Sequence, residues 1–256
     1  MRVWAKNHCS LLIQQTPLFL AQELACMSKQ PRPVLDSVWA FPPNRETFGG
    51  TAYFIVENSL TIPHNAPNNP PNNILIDCPS WDDETRSFLA QQGGVQWLVL
   101  THRQGMSPAV ANIKECFGCK VLVQEQEAYL LPEIEVMTFF DRSVINPHTE
   151  VFWTPGYSPG SACVYYQPYG LLFTGRHLLP NAAGNPQPLR TAKTFHWPRQ
   201  LKQVQHILER FDDASLQYLC PGANTGFLRQ QRFIYPAYAK LQQLDLSTLR
   251  HASVGP

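Results

Sequence analysis

The chain has 256 residues, 44% of them hydrophobic and only 15% charged, with 20 Lys and Arg against 19 Asp and Glu for a formal net charge of +1. Ordinary globular domains carry about 25% charged residues, so this composition excludes a charge-rich disordered protein, and near-neutrality removes the electrostatic footing of a nucleic-acid binder. The length suffices for one large domain that buries roughly 70 to 75% of its unfolded surface.

Residues 1–33 read as an N-terminal extension. Arg2 and Lys6 precede Leu11-Leu-Ile13 and Leu18-Phe-Leu-Ala21, but Gln14-Gln-Thr-Pro17 splits the apolar run. That pattern argues against a signal peptide, and nothing approaches the ~20 apolar residues of a membrane span, so the expected compartment is the cytoplasm, with no membrane partner. Val34 to Phe41 and Gly50 to Glu57 are rich in β-branched and aromatic residues and predict strands. The Asn- and Pro-rich tract Asn65 to Asn73 cannot supply strand donors and predicts a solvated loop. Ile74-Leu-Ile-Asp77 predicts a short strand, and Trp81 to Gln92 a helix opened by Asp82, Asp83 and Glu84. Trp97 to Thr101, Pro108 to Phe117 and Lys120 to Val123 continue as strand, helix and strand, the alternation of a layered α/β domain.

The second half begins again with strands at Glu150 to Thr154, Ala162 to Tyr166 and Leu171 to Thr174, the last two joined by a turn at Gly170. A loop from Pro180 to Pro188 leads to a helix from about Pro198 to Phe211, then a strand at Leu216 to Leu219. Arg232 to Tyr238 predicts aromatic packing of a C-terminal helix, and residues 241–256 a tail. The seven cysteines, Cys9, Cys26, Cys78, Cys116, Cys119, Cys163 and Cys220, read as reduced core thiols. No serine stands in a nucleophile elbow; Ser158 and Ser161 belong to a Gly- and Pro-rich turn.

Five pieces stand in order: Gly49-Gly-Thr-Ala-Tyr-Phe-Ile-Val56, Ile74-Leu-Ile-Asp77, Val99-Leu-Thr-His102, Thr154-Pro-Gly-Tyr-Ser-Pro-Gly-Ser161 and Leu172-Phe-Thr-Gly-Arg176, followed by Pro221-Gly222. Over about Val34 to Gly226 this pattern resembles the metallo-β-lactamase superfamily, which includes glyoxalase II. The resemblance implies an α/β fold, a four-layer αββα sandwich of two mixed sheets with helices outside, spanning 34–240. It also implies a metal site built from a His-x-His-x-Asp-His loop, a His after Thr-Pro-Gly, an Asp after Thr-Gly and a last His after Pro-Gly, holding zinc or iron that activates a water.

Residue by residue, only His102 matches a ligand. Gln104, Met106 and Ser107 stand in the rest of the first loop, Tyr157 for the next His, Arg176 for the bridging Asp and Ala223 for the last His. A zinc site draws its ~10 to 16 kcal/mol from several deprotonated ligands together. A fixed cation in the bridging position repels each unit of metal charge by roughly 4 kcal/mol at ~4 Å and an effective dielectric of 20. No cofactor is therefore expected, and the metal site reads as degenerate. His102, Gln104, Ser107, Tyr157, Arg176 and Asn224 become a cationic cleft suited to a small anionic ligand or a protein partner, unless Arg176 merely neutralises Asp77 or another loop carboxylate. The chain thus reads as a non-hydrolytic binding or scaffold protein. The alternative is a zinc- or iron-dependent hydrolase of an ester, thioester or amide with a divergent ligand set around His102, drawing on His177, Tyr157 or Asn224.

Overall fold

The computed structural model of the chain describes residues 30–57, 72–229 and 231–254. The N-terminal segment, Cys9, Cys26 and most of the Asn- and Pro-rich tract lie outside the described residues. Two mixed sheets form the centre of the molecule. The first runs in the order β1 (Arg32–Leu35), β2 (Val38–Ala40), β3 (Tyr53–Ile55), β4 (Ile74–Ile76), β5 (Trp97–Leu100), β6 (Lys120–Gln124) and β7 (Met137–Phe139). Its pairs are antiparallel as far as β4 and parallel from β4 to β7. The second places β14 (Tyr218–Pro221) beside β11 (Leu171–Gly175), then β10 (Ala162–Tyr166), β9 (Thr149–Trp153) and β8 (Arg142–Asn146).

Side chains on each strand alternate between two cores. Ile74, Ile76, Val99 and Leu122 face inward and meet Val151, Val164, Leu171 and Phe173 of the other sheet. Leu75, Leu98, Leu100, Val121 and Val123 face outward, under α1 (Asp83–Gln91) and α2 (Ala109–Phe117), which contribute Leu89, Val110 and Ile113. The outer face of the second sheet is covered by α3 (Trp197–Arg210) through Val204 and Ile207 and by α4 (Ala237–Leu241) through Leu241. This is the four-layer αββα sandwich. Because both faces of each sheet are covered, the strands read as continuous apolar runs.

Local chemistry sets the helix ends. Asp82 caps α1 by accepting the Thr85 N–H at 2.8 Å. Gly118, at φ +62°, closes α2, its N–H donating to the Lys114 carbonyl. His196 caps α3, its Nδ1 accepting the Arg199 N–H. The run from Val34 to Phe41 is two strands, because Asp36 and Ser37 make a tight turn inside it. Asn73, at the end of the tract expected to be a solvated loop, is fully buried, where its amide donates to the carbonyls of Gln92 and Gly94.

Two further expectations are corrected. The Pro180 to Pro188 loop contains a small hairpin, β12 (Leu179–Pro180) with β13 (Pro186–Gln187). Of the described cysteines, Cys78, Cys119, Cys163 and Cys220 are buried thiols, whereas Cys116 is exposed on the outer side of α2. The expected aromatic packing after β14 is present: Phe233 and Tyr238 pack on the sandwich, and Tyr235 stacks on Tyr218. Beyond Leu241, α5 (Leu246–Leu249) follows, and the Leu249 carbonyl accepts the Trp197 indole N–H at 2.9 Å. No described helix is long and apolar enough to cross a membrane.

Candidate functional site

The site forms where β4, β5, β11 and β14 end. Asp77 leaves β4 with φ +59°, and its carboxylate accepts the Thr101 N–H at 2.8 Å and the Thr101 hydroxyl at 2.6 Å. Burial pushes this carboxyl up to about 6, although the Thr101 bonds and the Arg176 charge oppose the shift. His102 follows Thr101 and is 1% exposed; burial first, then the Arg176 charge, pulls its imidazole down to about 3. The ring is therefore neutral at physiological pH, and its 4.0 Å approach to Asp77 is no ion pair. Its Nε2 has no hydrogen-bond partner among the described residues. Gly105 makes this packing feasible, because a Cβ there would lie 2.3 Å from Asp77 Oδ1 and 2.8 Å from His102 Nδ1.

The loop between β9 and β10 brings Tyr157 over this cluster, its ring 5.5 Å from that of His102. The Tyr157 hydroxyl donates to Gln104 Oε1. Burial raises the phenol above its ordinary range, which keeps it a neutral donor. Glu127, which sequence reasoning passed over, holds the two loops together. It is fully buried, and its Oε1 accepts the Arg103 Nε–H and the Gly160 N–H, both at 3.2 Å. Arg103 is the only cation paired with that carboxylate among the described residues. The guanidinium side chain is 39% exposed, so solvent screens part of the attraction. Arg103→Ala should cost about 1–2 kcal/mol, seen as a melting temperature ~3–5 °C lower by circular dichroism.

Arg176 stands at the end of β11, after Gly175 at φ +49°, where a Cβ would come within 2.4 Å of Thr101 Oγ1. Its Nη2 donates to the carbonyls of Thr47 at 3.1 Å and Phe48 at 2.8 Å. Neither Asp77 nor any other described carboxylate forms an ion pair with it, so the expected neutralising partner is replaced by two backbone carbonyls. Those carbonyls belong to a turn in which Phe48 has φ +54°, a conformation costly for a bulky residue. Phe48 is 63% exposed, and the Lys193 ammonium sits 4.1 Å from the centroid of its ring.

A cavity of about 440 Å³ opens here, and Gln104, Tyr157, Arg176 and Asn224 line it together with Phe48 and Lys193. The structure does not bring the other two expected residues into it. His102 lies beneath Tyr157, and Ser107 instead accepts the Ala109 N–H at the start of α2. Lys193 was missed because its loop, 191–196, carries no pattern of its own and is placed only by the fold. His148, His196 and His206 are solvent-facing or cap α3.

Zinc or iron would need several anionic or imidazole donors converging on one point. Among the described residues no group of three or more His, Cys, Asp or Glu side chains is placed to hold a metal ion. His177 does not join His102. It is 1% exposed and packs beneath α3, its carbonyl accepting the Gln200 amide at 2.9 Å. With the Arg176 charge acting on the single imidazole beneath the cleft, this donor set does not fit a dinuclear centre.

No protein-family model matches the chain, and no curated protein matches it at the sequence level. Solved structures do match. An archaeal metallo-beta-lactamase superfamily protein from Sulfolobus tokodaii superposes with a TM-score of 0.56 at 13% identity, covering 87% of this chain and 90% of its own. A metallo-beta-lactamase from Pontibacter korlensis gives 0.60 at 16%, covering 87% and 99%. A metallo-beta-lactamase family protein from Thermus thermophilus gives 0.57 at 15%, covering 85% and 81%. At such identities the likeness establishes the fold and leaves the chemistry to the residues of the cleft.

Proposed function

On this metallo-β-lactamase fold, divergent in sequence from the solved structures it resembles, we propose that the chain is a non-hydrolytic binding protein whose cleft takes a small anion. The observation that supports this reading is Arg176. It stands where the family's bridging carboxylate is expected, carries no carboxylate partner among the described residues, and lines a cavity with Lys193, Tyr157 and Asn224. The two cations and the Asn224 amide form a lining that stabilises negative charge through charge-assisted hydrogen bonds, while Tyr157, whose hydroxyl proton goes to Gln104, serves as a wall. The same cation opposes a divalent ion, and with it the metal-activated water that hydrolysis on this fold would require.

A screen of small anions at millimolar concentration should raise the melting temperature of the wild type and shift that of Arg176→Ala far less. A ligand at tenfold excess over its Kd adds about 1.4 kcal/mol, or roughly 3–5 °C for a chain of this size. The absence of any anion-dependent shift in the wild type would end the liganded reading. The second reading, a divergent metal-dependent hydrolase, rests on the buried, unpartnered Nε2 of His102. About one equivalent of zinc or iron in protein purified without chelator, lost together with esterase or thioesterase activity in His102→Ala, would establish it instead.

A further inference from the structure

Resting on the anion-binding reading, we propose that the ligand is an amphiphilic monocarboxylate, with one carboxylate held by Arg176 and Lys193 and an apolar body lying against Phe48, Leu179 and Leu189. Charge sets the head group. Arg176 and Lys193 line the cavity, while Asp77 lies behind it, near enough to Arg176 for the two charges to interact. Glu127 is matched by Arg103. The surplus is about one positive charge, which suits a monoanion and undercompensates a phosphate of about −1.5 to −2. Arg176 is also partly committed, since Nη2 already donates to two carbonyls, so it cannot wrap a tetrahedral anion from all its donors.

The apolar part follows from size and lining. A cavity of about 440 Å³ lies in the range of sites for whole small molecules. An acetate or phosphate, about two to three times the ~30 Å³ of a water, would leave most of it unfilled. The wall beyond the cations is apolar: Phe48 is 63% exposed, Leu189 is half-buried, and Leu179, 4% exposed, forms its floor. The carbonyl of Phe48 is tied to Arg176 and its ring to Lys193, so the aromatic wall and the cationic head site are one unit.

Isothermal titration calorimetry and thermal shift with 3-phenylpropionate, 3-phenylpropan-1-ol, acetate and inorganic phosphate test this. The expected result is that 3-phenylpropionate binds at least tenfold more tightly than each of the other three. Arg176→Gln and the exposed-site variant Lys193→Met should each weaken it about tenfold, while Leu189→Gln should remove most of its advantage over acetate. Acetate or phosphate binding as tightly as 3-phenylpropionate, or Leu189→Gln leaving the preference intact, would overturn the amphiphile and leave the anion reading standing. Equal binding of the alcohol, or undiminished binding by both Arg176→Gln and Lys193→Met, would overturn the carboxylate head. Failure of all the anions would remove both proposals together.

Discussion

Replacing Gly156 with alanine is expected to lower the melting temperature by about 10 °C. The loop carrying Tyr157 crosses α3 at backbone distance: a Cβ on Gly156 would lie 2.4 Å from Gln200 Cα and Cβ and 2.5 Å from its amide nitrogen. These are atoms of the helix body, not the tip of a movable side chain. Gly156 also has φ +148°, which side chains rarely adopt. The loop cannot simply lift, because the Gly156 carbonyl accepts the His196 N–H at 2.8 Å, at the N-terminus of the same helix. Overpacking of this kind costs about 1–3 kcal/mol and backbone strain another ~1–3, together about 2–6 kcal/mol, and at this size each kcal/mol is worth about 2–4 °C. Gly49→Ala is the control. Its φ is +75°, but nothing lies within 4 Å of the added carbon, so only the strain of about 1 kcal/mol should appear. Equal melting temperatures for the two variants, measured by calorimetry, would refute the close approach.

That contact also shows where sequence reasoning reached its limit. The strands from Ile74 to Val123 were legible because each is a short β-branched run bounded by turn residues and separated by amphipathic helices, and both cores demand apolar side chains from every strand. β7 and β8 were not, because edge strands bury little: Met137 is 48% and Val144 58% exposed, and their pattern blends into the loops. In the cleft, Arg176, Gln104, Tyr157 and Asn224 could be placed together because motif order alone fixes which strand end each follows. Ser107 could not, since whether its hydroxyl turns to the cleft or to the first turn of α2 depends on one side-chain torsion. Glu127 and Lys193 had no motif to announce them. A carboxylate in Glu125-Gln-Glu127 looks like any solvated acid until the fold buries it against the Gly160 N–H.

Acid should destabilise this protein through its buried histidines, and His177→Leu should remove a definable share of that loss. Burial alone pulls the His177 imidazole down to about 3, and neither ring nitrogen has a partner among the described residues. A group whose folded-state pKa is depressed supplies stability that is present above its unfolded value, near 6.5, and is lost as pH falls toward the folded value. His102, also at about 3, acts in the same direction. Asp77 acts in the opposite one: raised to about 6, it favours the folded state as pH falls from 6 toward 4, so it offsets part of the loss. Between pH 7 and 4.5 each histidine forfeits roughly 2–3 kcal/mol and Asp77 returns about 2, a net loss of about 3 kcal/mol. His177→Leu deletes two unsatisfied buried nitrogens and keeps the carbonyl that binds Gln200, so at pH 7 it should be neutral or stabilising by about 1 kcal/mol. At pH 4.5 its advantage over the wild type should widen by a further 2–3 kcal/mol. Urea denaturation at the two pH values reads this directly, and parallel losses in both proteins would mean that the His177 ring reaches solvent before it is protonated.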